Sequence, residues 1–385
     1  MNIITRTIES IFPPHRPLPV GIYPYQTPPD APFQYRLHLR IEANGEGILI
    51  VNAKTVLHLN QTATEMAYHL IKDTPEADAL ALIAHRYHVP KEQTRQDFQG
   101  LKQRLQTMIN TPDLDPGTYL DFERRDPHST DLSAPLRLDC ALTYKLTEPA
   151  GQDLAPVERV RRELLDEEWK IILDKAWNAG IPHVIFTGGE PTLRPDLPDL
   201  IAHAEKLGQV AGLITDGFRL TDAHYFHQLL QAGLDHLMIV LHEDDEQAWE
   251  AVRDAIQEDI FTTVHLTILH SDASKEIEII DQLAGMGIKS ISLSVADPAL
   301  VETMHVVRQA VAERQIPLIW DLPVPYSHLH PVALELAENE SKPNGAGKVW
   351  LYVEPDGDVL PAQGMPDHVL GNMLNDPWDT IWQKH

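Results

Sequence analysis

The most constraining feature of this 385-residue sequence is a repeated alternation of short apolar segments with helical patterns, which begins near residue 135. Each apolar segment predicts a strand buried on both faces, and each intervening segment has the periodicity of a helix. Repeated units of this kind build a parallel sheet. Six or seven units are too few for a closed eight-unit barrel, so they predict an α/β fold with a partial (β/α)6 TIM-like barrel. The predicted strands are LRLDCALTY, HVIFTGG, AGLITDG, HLMIVLHE, TTVHLTIL, SISLSV and PLIWDL.

The rest of the sequence divides into further segments. Residues 1–34 are rich in proline and predict an extended lead-in that is not a packed unit. Residues 35–110 contain two alternating runs about EANGEG, a third short strand and helical patterns, which predict a small winged-helix-like domain. We expect a linker over 111–134, the barrel over 135–323, and over 324–385 an extension with a hairpin at Pro-Asp-Gly.

Composition limits the partners of the protein. The formal net charge is −26, from 31 basic and 57 acidic residues. Binding to nucleic acid or to an anionic membrane needs basic surface, so this balance argues against both. No apolar run reaches the ~18–20 residues that span a bilayer, and the N-terminus has no signal-peptide pattern. We therefore expect a cytoplasmic protein that binds neither nucleic acid nor membranes.

The sequence contains one cysteine, Cys140. This excludes a disulfide within the chain and a site in which four cysteines of this chain hold zinc or an iron–sulfur cluster. Cys140 lies in a predicted strand, where we expect it to be buried and inert. The sequence also has no G-x-S-x-G motif, which is typical of serine hydrolases.

The segment Thr187–Pro191 (TGGEP) lies where a predicted strand ends and a helix begins, which is the usual ligand-binding edge of an α/β sheet. Gly188 and Gly189 allow a ligand to approach the backbone closely. Glu190 can accept hydrogen bonds from an ammonium group. The alternative is structural: Glu190 is favoured at a helix start by the dipole, and Asp216 begins an Asp-Gly turn.

With the following TLRPDL, this segment resembles the glycine-rich loop of radical S-adenosylmethionine (SAM) enzymes. The LITDG segment resembles the next strand of that family, which usually has Asn before the Gly. The resemblance implies contacts with the methionine part of SAM. Leu241 and His242, at the following strand end, match the ribose-contacting pattern of the family poorly. The expected cofactor-binding residues are Gly188, Gly189, Glu190, Pro191, Thr215 and Asp216.

In radical SAM enzymes, three cysteines after the first barrel strand hold a [4Fe–4S] cluster, because thiolates are soft anionic ligands for iron. The LTYK segment at 142–145 resembles the start of this motif and places the ligand positions at Leu146, Ala150 and Asp153. None of these side chains replaces a thiolate in kind.

A second alignment starts the motif at Cys140 and places the other ligands at Tyr144 and Thr147. The C-terminal segment resembles the auxiliary-cluster extension of the family, called SPASM or twitch, but Ala362 and Ser327 stand where cysteines would be expected. From both regions we predict no iron–sulfur cluster, no resident cofactor and no catalytic residue, and only weak binding of SAM.

Another metal is an alternative. His328 and His330 would face one side of a strand and could chelate a metal, and HEDDE at 242–246 is a second local cluster. No third ligand follows at a recognisable spacing. Solvated charges and turn residues are the favoured interpretation, so we predict no metal site.

Residues 35–110 resemble the peptide-recognition element of radical SAM enzymes that modify ribosomally made peptides. That element binds a leader peptide as an added strand through backbone hydrogen bonds. The resemblance therefore implies a pseudoenzyme that acts as a peptide-binding scaffold or regulatory partner, so our expectation leans against an enzyme. The alternative is an enzyme or sensor of this fold that still binds SAM but works without a cluster.

Overall fold

The structure is a computed structural model that describes residues 18–28, 31, 35–52, 55–111, 132–147, 149–319, 322–338 and 343–383. The chain divides into two compact units, residues 1–133 and residues 134–385.

The first unit contains a four-stranded antiparallel sheet, in the order β1-β2-β3-β4 among the described residues. The β2–β3 turn closes where Glu42 N donates to Glu46 O at 2.9 Å, and Gly45 there adopts a φ of 83° that favours glycine. The strands are β1 (Gly21–Gln26), β2 (Arg36–Ile41), β3 (Gly47–Val51) and β4 (Thr55–Leu59).

The N-terminal segment differs from its prediction, because part of residues 1–34 packs into this unit. Strand β1 pairs along its whole length with β2, and Leu18 is 9% exposed. Tyr23 packs edge-on against Tyr68, with ring centroids 4.9 Å apart. Pro24 is compatible with the strand because β1 is an edge strand. Strand pairing with a distant partner, which composition does not encode, overrides the proline content.

Helices cover the sheet of the first unit. Asn60 caps α1, since its side chain accepts a hydrogen bond from Ala63 N at 2.9 Å. Leu39 and Leu49 of the sheet and Phe98 of α3 are buried in the shared core. The helices are α1 (Gln61–Ile71), α2 (Glu76–Tyr87) and α3 (Lys91–Asn110).

The second unit has the predicted barrel topology, which confirms the α/β fold class. Its sheet order among the described residues is β10-β9-β8-β7-β6-β5-β11-β12-β13, and β5 to β10 pair in parallel between neighbours. The barrel strands are β5 (Arg137–Thr143), β6 (His183–Gly188), β7 (Val210–Thr215), β8 (His236–Val240), β9 (Phe261–Ile268) and β10 (Ser290–Val295). The helices between them and after β10 are α4 (Asp166–Ala179), α5 (Leu197–Leu207), α6 (Ala223–Gln231), α7 (Glu246–Gln257), α8 (Ser274–Met286) and α9 (Val301–Glu313).

Side chains alternate between two sides of the barrel sheet. Leu138, Cys140 and Leu142 of β5 pack into the core between sheet and helices, together with Trp169 of α4. The residues that alternate with such core residues along the strands face the inside of the barrel. Four of them, from β6, β7 and β8, form a small apolar cluster there: Ile185, Ile214, Met238 and Val240. Cys140 is 0% exposed, and burial, followed by the nearby Asp139 carboxylate, raises the pKa of its thiol well above the usual value.

The described residues of the last predicted barrel strand, PLIWDL at 317–322, do not form a strand. Within the described residues, Leu318 makes one isolated bridge to Ile291, and Trp320 and Asp321 lie outside the described residues. Pro317 and Pro323 at the two ends cannot donate to a ladder, which limits pairing there.

The predicted C-terminal hairpin is confirmed, and it extends the barrel sheet. β11 pairs in parallel with β5, and its turn closes where Glu354 N donates to Asp358 O at 2.8 Å. No described helix is long and apolar enough to cross a membrane. The elements of this region are α10 (Val332–Glu338), β11 (Trp350–Val353), β12 (Asp358–Leu360), β13 (Gly371–Asn372) and α11 (Trp378–Trp382).

Candidate functional site

The glycine-rich segment lies at the carboxyl end of β6 and packs against the chain that follows β5. Gly189 N donates to Thr143 O, and Glu190 N donates to Lys145 O, both at 2.8 Å. A Cβ atom on Gly188 would lie 2.3 Å from Thr143 O, and one on Gly189 would lie 2.3 Å from Lys145 O. Gly188 also has a φ of 123°. Both glycines are therefore required by the close approach of the protein's own backbone.

Glu190 is a buried carboxylate whose hydrogen bonds come from its own chain. It is 2% exposed and accepts bonds from Thr192 N at 2.8 Å, from Thr215 Oγ1 at 2.8 Å and from Asp216 N at 2.7 Å. Burial raises the pKa of Glu190, and repulsion by the Asp216 carboxylate adds to this effect. Glu190 therefore joins the ends of β6 and β7.

Thr215 and Asp216 lie beside Glu190, as their sequence positions suggested, and they have structural partners as well. Asp216 Oδ1 accepts a hydrogen bond from Phe218 N at 3.0 Å, and Gly217 between them has a φ of 84°. This is the Asp-Gly turn that was the structural alternative. Pro191 begins a short 3₁₀ helix that is N-capped by the Glu190 side chain.

A narrow cavity opens beside this segment. Its volume is about 30 Å³, which is room for about two water molecules. His242 and His328 line this cavity, and their rings contact each other in a tilted arrangement with centroids 5.2 Å apart. The ring of Phe218 lies against His242, also tilted, with centroids 5.3 Å apart. The lining includes Leu146, Gly189, Glu190, Asp216, His242 and His328.

The loop after β5 closes one side of this cavity. Gln152 fixes the loop, because its Oε1 accepts from Leu146 N and its Nε2 donates to Tyr144 O, each at 3.0 Å. Leu146 packs partly buried against a cluster that contains Tyr144 and Tyr326. Of the other two expected ligand positions, Asp153 is exposed, and the side chain of Ala150 lies outside the described residues.

A buried network of tyrosines, carboxylates and one arginine lies behind the loop, and sequence reasoning missed it. Tyr144 OH donates to Glu354 Oε1 at 2.9 Å, and Tyr326 OH donates to the Glu335 carboxylate at 2.7 Å. Arg159 donates to Tyr326 OH at 2.8 Å, and its Nε lies 3.3 Å from Glu354 Oε1. Burial raises the pKa of both tyrosines. These residues come from distant parts of the sequence, so no local motif could have identified them.

The two local clusters that were the alternative metal sites are not assembled among the described residues. Ser327 Oγ accepts from His330 N at 3.2 Å in a turn, so His328 and His330 do not project from one strand face as expected. His328 lines the narrow cavity, whereas His330 lines a different one. In HEDDE, Glu243 and Asp244 pair with Lys275. Among the described residues, no group of three or more His, Cys, Asp or Glu side chains could hold a metal ion.

Comparison with known proteins finds a family match that includes this region. Residues 140–268 match the family described as the Radical SAM superfamily. This segment is similar to the radical SAM domain. It begins at Cys140 in β5 and ends with β9, so it includes the glycine-rich segment and Glu190.

Two curated relatives are similar in sequence to this chain. A PqqA peptide cyclase from Streptomyces rochei is 29% identical over 283 residues, which are 65% of this chain and 76% of the relative. A PqqA peptide cyclase from Granulibacter bethesdensis is 34% identical over 123 residues, which are 31% of this chain and 33% of the relative.

Two solved structures support the fold. Streptococcus suis SuiB bound to S-adenosylmethionine has a TM-score of 0.58 at 16% identity and covers 93% of this chain and 88% of its own. SuiB bound to the precursor peptide SuiA has a TM-score of 0.57 at 15% identity and covers 89% of this chain and 86% of its own. At these identities the likeness shows the fold alone.

The prediction of no resident cofactor is contradicted by these comparisons. The match to the Radical SAM superfamily and the similarity to peptide cyclases imply SAM and a [4Fe–4S] cluster, and Cys140 lies within the matched residues. The glycine-rich edge is present at the position that the resemblance assigns to SAM, although the cavity of about 30 Å³ is too small for that molecule. The cysteine content does not fit ligation by three thiolates of this chain, because the sequence contains one cysteine and its side chain packs in the helix-facing core.

Proposed function

We propose that this protein binds a peptide as an added strand on β4 and serves as a scaffold or regulatory partner in peptide modification. Strand β4 (Thr55–Leu59) carries this proposal: it lies at the edge of the sheet and pairs, among the described strands, with β3 alone. Its sequence, TVLHL, contains neither proline nor Asp, Glu, Lys or Arg. Proline and charged residues are the usual devices that protect an edge from pairing.

The opposite edge is less suited to a peptide. Strand β1 contains Pro24, which has no backbone N–H to donate. The names of similar proteins support a peptide as the partner, because SuiB is described with a precursor peptide and the curated relatives are named for the PqqA peptide. A winged-helix-like peptide-recognition role for the first unit, and a SPASM-like role for the C-terminal hairpin, belong to the same proposal.

The scaffold role is supported by the hydrogen bonding of Glu190 and by the small volume of the cavity beside it. Glu190 receives its hydrogen bonds from the protein, and the loop fixed by Gln152 narrows the cavity beside it. The proposed cofactor-facing residues stay Gly188, Gly189, Glu190, Pro191, Thr215 and Asp216. Location in the cytoplasm also stays a prediction.

Hydrogen exchange tests the peptide edge. A peptide selected from a random displayed library on the purified protein should slow amide exchange in β4. Val56→Lys, which places a charge on this partly exposed edge, should weaken its binding at least tenfold. Gln26→Lys on exposed β1 is the matched control and should bind as the wild type does. Protection confined to β1, or equal loss in both variants, would refute the β4 assignment.

A second candidate function is SAM binding as an enzyme or sensor. Three of the expected cofactor-binding residues, Gly189, Glu190 and Asp216, line one cavity, which favours this candidate. After incubation with iron and sulfide, the protein would be mixed anaerobically with SAM, dithionite and the selected peptide. A scaffold forms no 5′-deoxyadenosine under these conditions. Formation of this product, detected by mass spectrometry, would replace the scaffold proposal with the second candidate.

A further inference from the structure

A second and larger cavity lies in residues 134–385, between β5, the segment 322–330 and the β11–β12 hairpin. Its volume is about 280 Å³, near the lower end of the roughly 300–1,000 Å³ that is typical of ligand sites. It is separate from the narrow cavity beside Glu190. Its polar and apolar lining includes Asp139, His330, Glu335, Trp350, Ala362 and Gln363.

Two carboxylates line this cavity, and both are held in place. Asp139 is 1% exposed and accepts from Arg137 Nε at 2.7 Å and from Arg137 Nη2 at 3.0 Å. A carboxylate can accept about four hydrogen bonds, so this pairing does not saturate Asp139. Glu335 is 4% exposed and is fixed by Tyr326 OH at 2.7 Å.

The absence of a side chain at Gly364 leaves space for the side chain of Glu335. A Cβ atom on Gly364 would lie 2.0 Å from Glu335 Cγ, and Gly364 has a φ of 79°. Both the space and the backbone conformation at this position favour glycine. The carboxylate is therefore built into the wall of the cavity.

His330 provides an independent indication of a ligand. It is 4% exposed, it lines the cavity, and its Nδ1 has no hydrogen-bond partner among the described residues. Burial lowers the pKa of His330 to about 4, so the ring is neutral near pH 7 and one of its nitrogens is an acceptor. A buried polar atom without a partner costs about 1–3 kcal/mol, and native proteins usually supply a partner.

We propose that this cavity binds a primary ammonium group, carried by a small free amine or by the lysine side chain of a peptide. An ammonium has three N–H donors, and Asp139, Glu335 and His330 offer acceptors. Among the described residues that line the cavity, none is lysine or arginine. Trp350 and Ala362 give an apolar wall for the methylene stem of the ligand. The inference does not depend on peptide binding at β4.

Isothermal titration with n-butylammonium tests the site, with n-butanol and butyrate as neutral and anionic analogues. Only the amine should bind the wild-type protein. Glu335→Gln should weaken its binding at least tenfold. The matched control is Glu354→Gln. Arg159 lies 3.9 Å from Glu335 and 3.3 Å from Glu354, but Glu354 does not line the cavity. It should leave the amine affinity within twofold of wild type.

The peptide acetyl-Gly-Lys-Gly-amide and its norleucine counterpart distinguish the two sources of the ammonium. Tighter binding of the lysine peptide than of butylammonium assigns the site to a peptide side chain, and the reverse assigns it to a free amine. If Glu335→Gln does not fold, as judged by circular dichroism, Ala362→Leu replaces it. The larger side chain at position 362 should reduce amine binding. No heat with either amine, equal binding of butanol, or unchanged affinity in both cavity variants would overturn the proposal.

Discussion

Replacing Gly189 by alanine tests whether the glycine-rich segment is shaped by the protein's own packing. The new Cβ would lie 2.3 Å from Lys145 O, a backbone atom, and 2.9 Å from Leu146 Cδ2. Ordinary contact between such atoms is about 3.5 Å, so the two segments must separate by about 1 Å. That movement strains the hydrogen bonds from Gly189 N to Thr143 O and from Glu190 N to Lys145 O.

The expected loss of stability follows from these contacts. Overpacking of a well-packed region costs about 1–3 kcal/mol, and each weakened hydrogen bond contributes about 0.5–1.5 kcal/mol. The lower entropy of the unfolded alanine chain offsets about 0.4–1 kcal/mol. We therefore expect Gly189→Ala to lower the free energy of unfolding by about 1–6 kcal/mol, the range that these terms span together.

Urea unfolding followed by tryptophan fluorescence measures this difference. Gly285 is the matched control because it lies in helix α8 of the same unit, and a Cβ there would meet no atom within 4 Å. Gly285→Ala should stabilise the protein by about 0.5–1 kcal/mol, since alanine is the better helix former. A Gly189→Ala variant as stable as wild type would refute the packing argument and leave ligand approach as the reason for glycine at this position.

Three further predictions concern titration, the buried network and the cysteine. Burial raises the pKa of Glu190 from its ordinary value of 4.5 to about 8. The contribution of Glu190 to the free energy of unfolding is therefore fully present below pH 4.5 and is lost as pH rises through 8. The stability advantage of wild type over Glu190→Gln, from urea unfolding at several pH values, should shrink over this range; a constant difference would contradict it. Arg159→Met should cost about 2–4 kcal/mol because it leaves buried carboxylates without their cation. Arg162→Met removes an exposed ion pair and should lower the thermal midpoint much less, because solvent screens such pairs; equal thermal shifts would exclude this explanation. Cys140 is buried with a raised thiol pKa, so it should react with Ellman's reagent only as fast as the protein unfolds. Rapid labelling of the folded protein would show that the Cys140 side chain is accessible to solvent.

The barrel could be predicted from the sequence because the patterns that specify its strands and helices are local in the sequence. Each apolar run followed by a helical pattern specifies a strand and a helix, and repetition of the unit specifies parallel order. The glycine-rich segment and its position at the end of β6 were recognisable for the same reason, since a strand-to-helix turn with adjacent glycines is a short, continuous pattern. The resemblance to radical SAM enzymes is supported by the family match over residues 140–268, while the expectation of no cofactor was contradicted by the comparisons.

Elements that depend on distant partners could not be predicted in this way. Strand β1 has a proline-rich sequence and forms because β2 offers it an edge. The segment at 317–322 has a strand-like composition, yet within its described residues the contact with the sheet is one bridge, from Leu318 to Ile291 of β10. Pro317 and Pro323 at its ends cannot donate to a ladder. Pairing energy is gained only in the folded chain, so composition alone misplaces both segments.

The sequence by itself determined the order of strands and helices, the single cysteine and the positions of the candidate glycines and carboxylates. Only the tertiary structure decided what these residues contact. It turned Glu190 towards donors of its own chain, separated His328 from His330, and brought Arg159 to Glu354 across almost two hundred residues. The physical reason is that hydrogen bonds and burial act between atoms close in space, and most of the neighbours of a buried polar side chain are distant in sequence.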